Sequence, residues 1–181
     1  MTPRRERRRT ARPCLKMIRF GVGRGENPLN FSDWPLKITR PPVITSRERL
    51  IGTRVVDNET QHELVIGSFH AAPLTASNSL RRKQIHAAHA ELLSMGSGLM
   101  TLMVGDFNYP FFTKNLHAHM KNSGYALSLS NRRTYTRYKV FKGHFDFATS
   151  LGLDIASVET LPRGKSDHLP ILVNAEYGKG Y

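Results

Sequence analysis

Apolar residues recur along this chain with two different spacings, and the spacings predict its elements. Over residues 49–56 and 63–70 apolar positions alternate loosely with others, and the second run centres on Leu64-Val65-Ile66. Period-two patterning predicts a strand in each, with 57–61 as the hairpin connection. Over 78–95 the period lengthens. Leu80, Ile85, Ala88 and Leu92 share one helical face, Asn78 or Ser79 is placed to cap the start, and Gly96 stops the helix. Residues 99–104 are apolar without alternation, as in a strand covered on both faces. A short helix over 112–122 closes at Gly124. Strand-like segments follow at 125–129, 144–149, 155–160 and 169–176. Several strands, two helices and no regular β–α alternation predict an α+β domain whose sheets are covered by helices.

Punctuation and charge divide the chain. Residues 21–45 are broken by Gly, Asn and Pro41-Pro42 and read as an irregular segment. The domain proper is expected at 46–177, with a tail at 178–181. Residues 1–20 carry Arg4, Arg5, Arg7, Arg8, Arg9, Arg12, Lys16 and Arg19 against Glu6 alone, a composition that predicts a disordered arm. Across all 181 residues, 27 Lys and Arg against 14 Asp and Glu leave a formal +13, so the body is basic as well as the arm. A field of that sign attracts polyanions, and nucleic acid is the expected partner. Arg81, Arg82, Lys83, Arg132 and Arg133 are the candidate contacts. A merely solvated basic surface is the plainer alternative. With 39% hydrophobic residues the chain can bury a core. The single cysteine, Cys14, excludes an internal disulfide framework. No apolar run reaches the roughly 18 residues of a membrane span, and none follows the basic start as a secretory signal requires. A soluble, cytoplasmic protein is expected.

Chemistry concentrates in a few places. Asp106 and Asn108 are two apart at the end of the most apolar strand, where they face one site. A carboxylate there can orient or deprotonate water, and a carboxamide can donate to a phosphate oxygen; a plain turn before Pro110 accounts for both residues equally well. Asp167-His168, before the apolar run 169–173, can join a hard-cation ligand to a proton-transfer group, although a plain loop before Leu169-Pro170 is the stronger reading of these residues in isolation. Asp146 lies within an apolar strand and needs a partner, for which a histidine is the natural choice. His70 closes one strand and Glu48 opens its neighbour, so a hairpin would bring them to one sheet edge. His86, His89, His117 and His119 lack the further ligands of a zinc site and are expected on helix surfaces.

Taken in order, these motifs resemble the endonuclease/exonuclease/phosphatase superfamily, and its pancreatic-type deoxyribonuclease branch in particular, from about residue 46 to 176. Val104-Gly105-Asp106-Phe107-Asn108 is similar to its Gly-Asp-Phe/Leu-Asn motif, and Ser166-Asp167-His168-Leu169-Pro170 to its closing Ser-Asp-His-x-Pro. Phe145-Asp146-Phe147-Ala148-Thr149-Ser150 resembles the Asp-bearing strand between them. Ser68-Phe69-His70-Ala71-Ala72-Pro73 resembles a His-Ser-Ala-Pro stretch, and Arg47-Glu48-Arg49 a Glu-Arg strand start.

The resemblance implies a four-layer α/β sandwich and hydrolysis of phosphodiesters with Mg²⁺ or Mn²⁺. Asp106 would position or activate water, and Asn108 would hold the phosphate. His168, paired with Asp146, would act as general base or stabilise the transition state. Asp167 would bind the metal, and His70, supported by Glu48, would assist the leaving oxygen. One departure matters. Members begin with an Asn-bearing strand and a strand ending in a metal-binding Glu, whereas residues 1–45 offer Glu26, Asn27 and Asn30 without either pattern. The expectation is a shortened member with one incomplete sheet and weaker cation binding. Three alternatives stay open: an inactive remnant that binds nucleic acid, a phosphomonoesterase, or a fragment completed by a partner chain.

Overall fold

The structure, a computed structural model, describes residues 14–20, 36–45, 49–111, 113–137, 141–164 and 166–178. The first strands are β1 (Cys14–Phe20), β2 (Leu36–Ile38), β3 (Val43–Thr45), β4 (Leu50–Asp57) and β5 (Glu63–His70). Helix α1 (Asn78–Met95), β6 (Met100–Asp106) and α2 (Thr113–Asn122) follow. The chain continues through β7 (Ala126–Leu129), β8 (Tyr135–Arg137), β9 (Phe141–Gly143), β10 (Asp146–Leu151), β11 (Leu153–Thr160) and β12 (Ile171–Tyr177). β1, β2 and β3 fall in the segments 1–20 and 21–45, where an arm and an irregular stretch are expected. A three-residue strand has too few positions to show a period, which is also why the β8–β9 ribbon leaves no mark in the sequence.

A seven-stranded sheet runs β2-β4-β5-β6-β10-β7, with β3 also on β4, and a three-stranded sheet runs β1-β12-β11. Strands β5 and β6 are parallel and need a crossover, which α1 supplies. Alternation along β6 decides the layering. Met100, Leu102 and Val104 pack between the sheets against Leu153, Val158, Ile171, Val173 and Ala175. Met103 faces the helices with Val65, Phe69, Ile85, Leu92, Leu116 and Phe147. All seven residues of β6 are buried, as its unbroken apolar character predicts. The result is an α+β sandwich of helices, large sheet and small sheet. No helix covers the outer face of the small sheet among the described residues. No described helix is long and apolar enough to cross a membrane.

Helix α1 begins one residue earlier than the sequence suggests, because Ser77 is the N-cap and its Oγ accepts from Leu80 N–H at 3.2 Å. Its buried face is Arg81, Ile85, Ala88, His89 and Leu92, while Leu80 is 45% exposed. His89 is therefore no surface histidine. It is buried, hydrogen-bonds Thr149 Oγ1 at 2.8 Å and stacks on Tyr125 with ring centroids 3.7 Å apart. Burial pushes its pKa down to about 3, with the nearby His86 and His119 adding to the effect.

A polar latch joins the sheets. The Tyr177 hydroxyl on β12 donates to buried Asp57 at the end of β4, which also accepts from Glu59 N–H and Thr60 Oγ1, both at 2.8 Å. Burial alone would raise the Asp57 pKa, but these bonds outweigh it and hold the carboxyl below its usual 3.8. Tyr177→Phe is expected to cost about 1–2 kcal/mol in urea unfolding at pH 7. A depressed carboxyl pKa gives stability that is present above about pH 4 and lost as pH falls through the folded value. The difference between wild type and variant should therefore shrink in acid.

Candidate functional site

Register builds the site. In the parallel pair His70 lies opposite Asp106, and in the neighbouring antiparallel pair Asp146 lies opposite Asp106. Three adjacent strands, β5, β6 and β10, thus set His70, Asp106 and Asp146 in one lateral row, and residues directly opposite point to the same face. His168, on the loop before β12, closes over the row. Its Nδ1 bonds Asp146 Oδ2 at 2.8 Å, and its Nε2 lies 3.8 Å from Asp106 Oδ2. His70 Nε2 approaches the same oxygen at 3.8 Å from the other side.

The turn after β6 depends on two unusual backbones. Gly105 has φ +151, and a Cβ there would sit 1.9 Å from the Phe69 carbonyl oxygen, so only glycine lets β5 and β6 approach this closely. Asn108 adopts φ +47, a left-handed conformation that asparagine tolerates better than most residues. Its backbone N–H donates to Asp106 Oδ1 at 2.8 Å, and its Nδ2 to Asp106 Oδ2 at 3.1 Å. Asp106-Phe107-Asn108 does form a turn, and that turn sets both polar side chains at one cavity.

Electrostatics separate the two kinds of group. Burial, and then the charge on Asp146, raises the Asp106 pKa to about 6. Burial alone would lower His168, but its hydrogen bond to Asp146 and the charges of Asp146, Asp106 and Asp167 raise it above its usual 6.5. His70 is lowered by burial and by the charges on Arg49 and His168. A buried carboxyl moved up and an imidazole moved up beside it are the kind of perturbed pair that marks a candidate site.

A cavity of about 470 Å³ opens on these groups, lined by His70, Pro73–Thr75, Asp106, Asn108, Tyr135, Phe145 and Ser166–His168. Asp167 borders it and is exposed. Glu48 lies outside the described residues, so its expected support of His70 has no structural counterpart here; the His70 N–H instead donates to the Arg49 carbonyl at 3.1 Å. Of the expected nucleic-acid contacts, Lys83, Arg132 and Arg133 are exposed and Arg82 is partly so. Arg81 is a correction. It is 4% exposed, donates to the Pro73 carbonyl at 2.8 Å and bonds the Asn78 side chain, so it braces the cavity rim from inside. Its place on the apolar face of α1, four residues before Ile85, was the available signal. Thr134 and Tyr135 are the residues that motif reading passes over. Tyr135 tilts against His168 at 4.8 Å and Phe145 at 4.7 Å, and nothing in its sequence surroundings marks it.

Ligand atoms of Asp106, Asp146 and His168 lie within 4.8 Å of one another. Two carboxylates dominate this set, and oxygen donors suit Mg²⁺ or Mn²⁺. The raised pKa of Asp106 is the sign of a buried carboxylate short of positive charge, so the residues fit a divalent cation.

No protein-family model matches the sequence, and no curated protein matches it. Solved structures match in fold. An endonuclease/exonuclease/phosphatase family protein from Bacteroides thetaiotaomicron superposes with a TM-score of 0.56 at 12% identity, over 71% of this chain and 56% of its own. The human Nocturnin catalytic domain with bound sulfate gives 0.59 at 16% identity, over 79% and 60%. D. rerio TDP2 complexed with a single-strand DNA product gives 0.58 at 14%, over 78% and 69%. The chain thus spans little more than half the length of the first of these. At such identities the likeness speaks for the fold. It agrees with the superfamily resemblance carried by the motifs and does not single out the deoxyribonuclease branch.

Proposed function

From the endonuclease/exonuclease/phosphatase fold, we propose that this chain is a divalent-metal-dependent phosphodiester hydrolase acting on DNA or RNA. One observation carries the reading: His70, Asp106 and His168 face a single cavity, with Asp146 buried behind His168 and bonded to it. Asp106 positions the attacking water, and takes its proton where His168 acts as the cation. Asn108 Nδ2, now turned to Asp106, donates to a non-bridging phosphate oxygen. His168 Nε2 faces the reacting phosphorus with its other nitrogen held by Asp146, either as base or as the cation that steadies the transition state. His70, exposed at the cavity edge, protonates the leaving oxygen. Asp106 of the Asp106–Asp146–His168 cluster would hold the cation, with Asp167 as the second carboxylate expected at it, and a bound cation would neutralise charge on the phosphoryl oxygens. Arg82, Lys83, Arg132 and Arg133 are at least partly exposed, where solvent or a polyanion can meet them, and the single-strand DNA product in the TDP2 neighbour supports nucleic acid as substrate. A cytoplasmic location suits such a substrate.

A second reading, nucleic-acid binding without cleavage, is favoured by the sparse acid supply: among the described residues lining the cavity, only Asp106 and Asp167 are carboxylates. The test is incubation with plasmid, single-stranded DNA, RNA, bis(p-nitrophenyl) phosphate and p-nitrophenyl phosphate in Mg²⁺, Mn²⁺ or EDTA, beside Asp106→Ala. Diester cleavage that needs metal and Asp106 is expected. Hydrolysis of the monoester alone would move the reading to a phosphatase. No hydrolysis of any substrate, with DNA still bound, would leave the second reading standing.

A further inference from the structure

Thr134 is a fully buried polar residue in the loop between β7 and β8, and no site motif includes it. Its hydrogen bonds converge on the two chain segments that carry the imidazole–carboxylate pair. Oγ1 accepts from both Phe145 N–H and Asp146 N–H, each at 3.1 Å. Its carbonyl accepts from Leu169 N–H at 2.7 Å, immediately after His168, and its own N–H donates to the Gly143 carbonyl at 3.0 Å. The next residue, Tyr135, forms a β-bridge with His168.

Successive N–H groups in an extended strand point to opposite sides. That the N–H groups of residues 145 and 146 both reach one hydroxyl means the backbone bends around Thr134 as it enters β10. This bend sets the direction in which Asp146 leaves the main chain. The bond from Leu169 sets where His168 leaves its loop. Asp146 and His168 are 22 positions apart in sequence, and Thr134 is the residue bonded to the backbone on both sides.

We infer that Thr134 is a positioning residue, whose hydroxyl and carbonyl hold Asp146 and His168 in the register that their Nδ1–Oδ2 hydrogen bond requires. The kinetic arm of the inference rests on the proposed hydrolase reading; the spectroscopic arm does not. Valine has nearly the shape of threonine but leaves two buried N–H groups without an acceptor. Serine restores the acceptor.

The experiment compares Thr134→Val and Thr134→Ser in the full chain labelled with ¹⁵N-histidine, the His168 signals being assigned by their loss in His168→Ala. In wild type and Thr134→Ser, neutral His168 carries its proton on Nδ1, held by Asp146. In Thr134→Val this signature is expected to collapse toward a mixture of tautomers. In parallel, kcat for a diester substrate is expected to fall about 10- to 100-fold, with KM within about twofold, since small displacements of reacting groups carry penalties of that order. Thr134→Ser is expected to keep both. If Thr134→Val does not fold, Thr134→Cys, a weaker acceptor of similar volume, gives the same changes in smaller measure. Unaltered His168 tautomer signals in a folded Val or Cys variant would overturn the inference, whatever happens to its melting temperature. If wild type hydrolyses nothing, the function reading fails while the ¹⁵N comparison still decides the role of Thr134.

Discussion

His168→Ala lowers kcat for metal-dependent diester cleavage by about 10²- to 10⁴-fold, the range expected for removal of a positioned proton-transfer group, while KM changes far less. The expectation rests on position. The imidazole is 16% exposed, one nitrogen is held by Asp146 and the other faces Asp106 and the cavity. A neutral base and a cationic stabiliser differ in pH dependence. The His168 pKa lies above 6.5, since Asp146, Asp106 and Asp167 outweigh the lowering effect of burial. If the neutral imidazole is the base, the rate rises with pH through that value. If the imidazolium steadies the transition state, the rate falls through it. Asp146→Asn removes the charge and the ionic hydrogen bond, so either limb moves toward lower pH. A folded His168→Ala protein with unchanged kcat would remove His168 from the mechanism.

How much of this was legible beforehand depended on length and on contiguity. β5, α1 and β6 could be placed from spacing because each is long enough to show a period, and β6 because both of its faces are covered. Asp106, Asn108 and His168 could be named because each sits in a short contiguous motif. The partnership of Asp146 with His168 was readable only as a need, since a carboxylate in an apolar strand wants a partner and nothing local says which. Arg81 misled because a cation in a basic cluster looks like surface, whereas its position on the apolar stripe of α1 decided its burial. Thr134 was invisible for a deeper reason: its role is made of backbone bonds to segments 11 and more residues away, and no local pattern encodes them. Glu48 marks the opposite limit, a motif residue that lies outside the described structure.

The carboxylate proposed for the chemistry also weakens the fold, and this yields the second large effect. Asp106 is 6% exposed, and burial followed by the Asp146 charge raises its pKa from the usual 3.8 to about 6. The folded carboxyl therefore keeps its proton to a higher pH than the unfolded one. Between about pH 4 and 6 unfolding releases that proton, and stability declines as pH rises through the folded value. Above this range the ionised group costs on the order of 3 kcal/mol. Asp106→Asn removes the charge and keeps the shape. Its carboxamide oxygen can still accept from Asn108 N–H, and a rotated Asn108 amide can accept from its NH₂. The variant is expected to lose cleavage almost entirely and yet to melt several degrees higher than wild type at pH 8 in EDTA, with the gap vanishing near pH 4. Mg²⁺ should narrow the gap from the other side, because a cation held at Asp106 relieves in wild type the repulsion that asparagine abolishes. Thermal melts of both proteins at pH 4 and pH 8, with and without Mg²⁺, contain the whole prediction. A variant less stable than wild type at pH 8 would show that the bonds to Asn108 outweigh the buried charge. Asp106 would then be a structural turn residue first, and its claim to the chemistry would have to rest on kinetics alone.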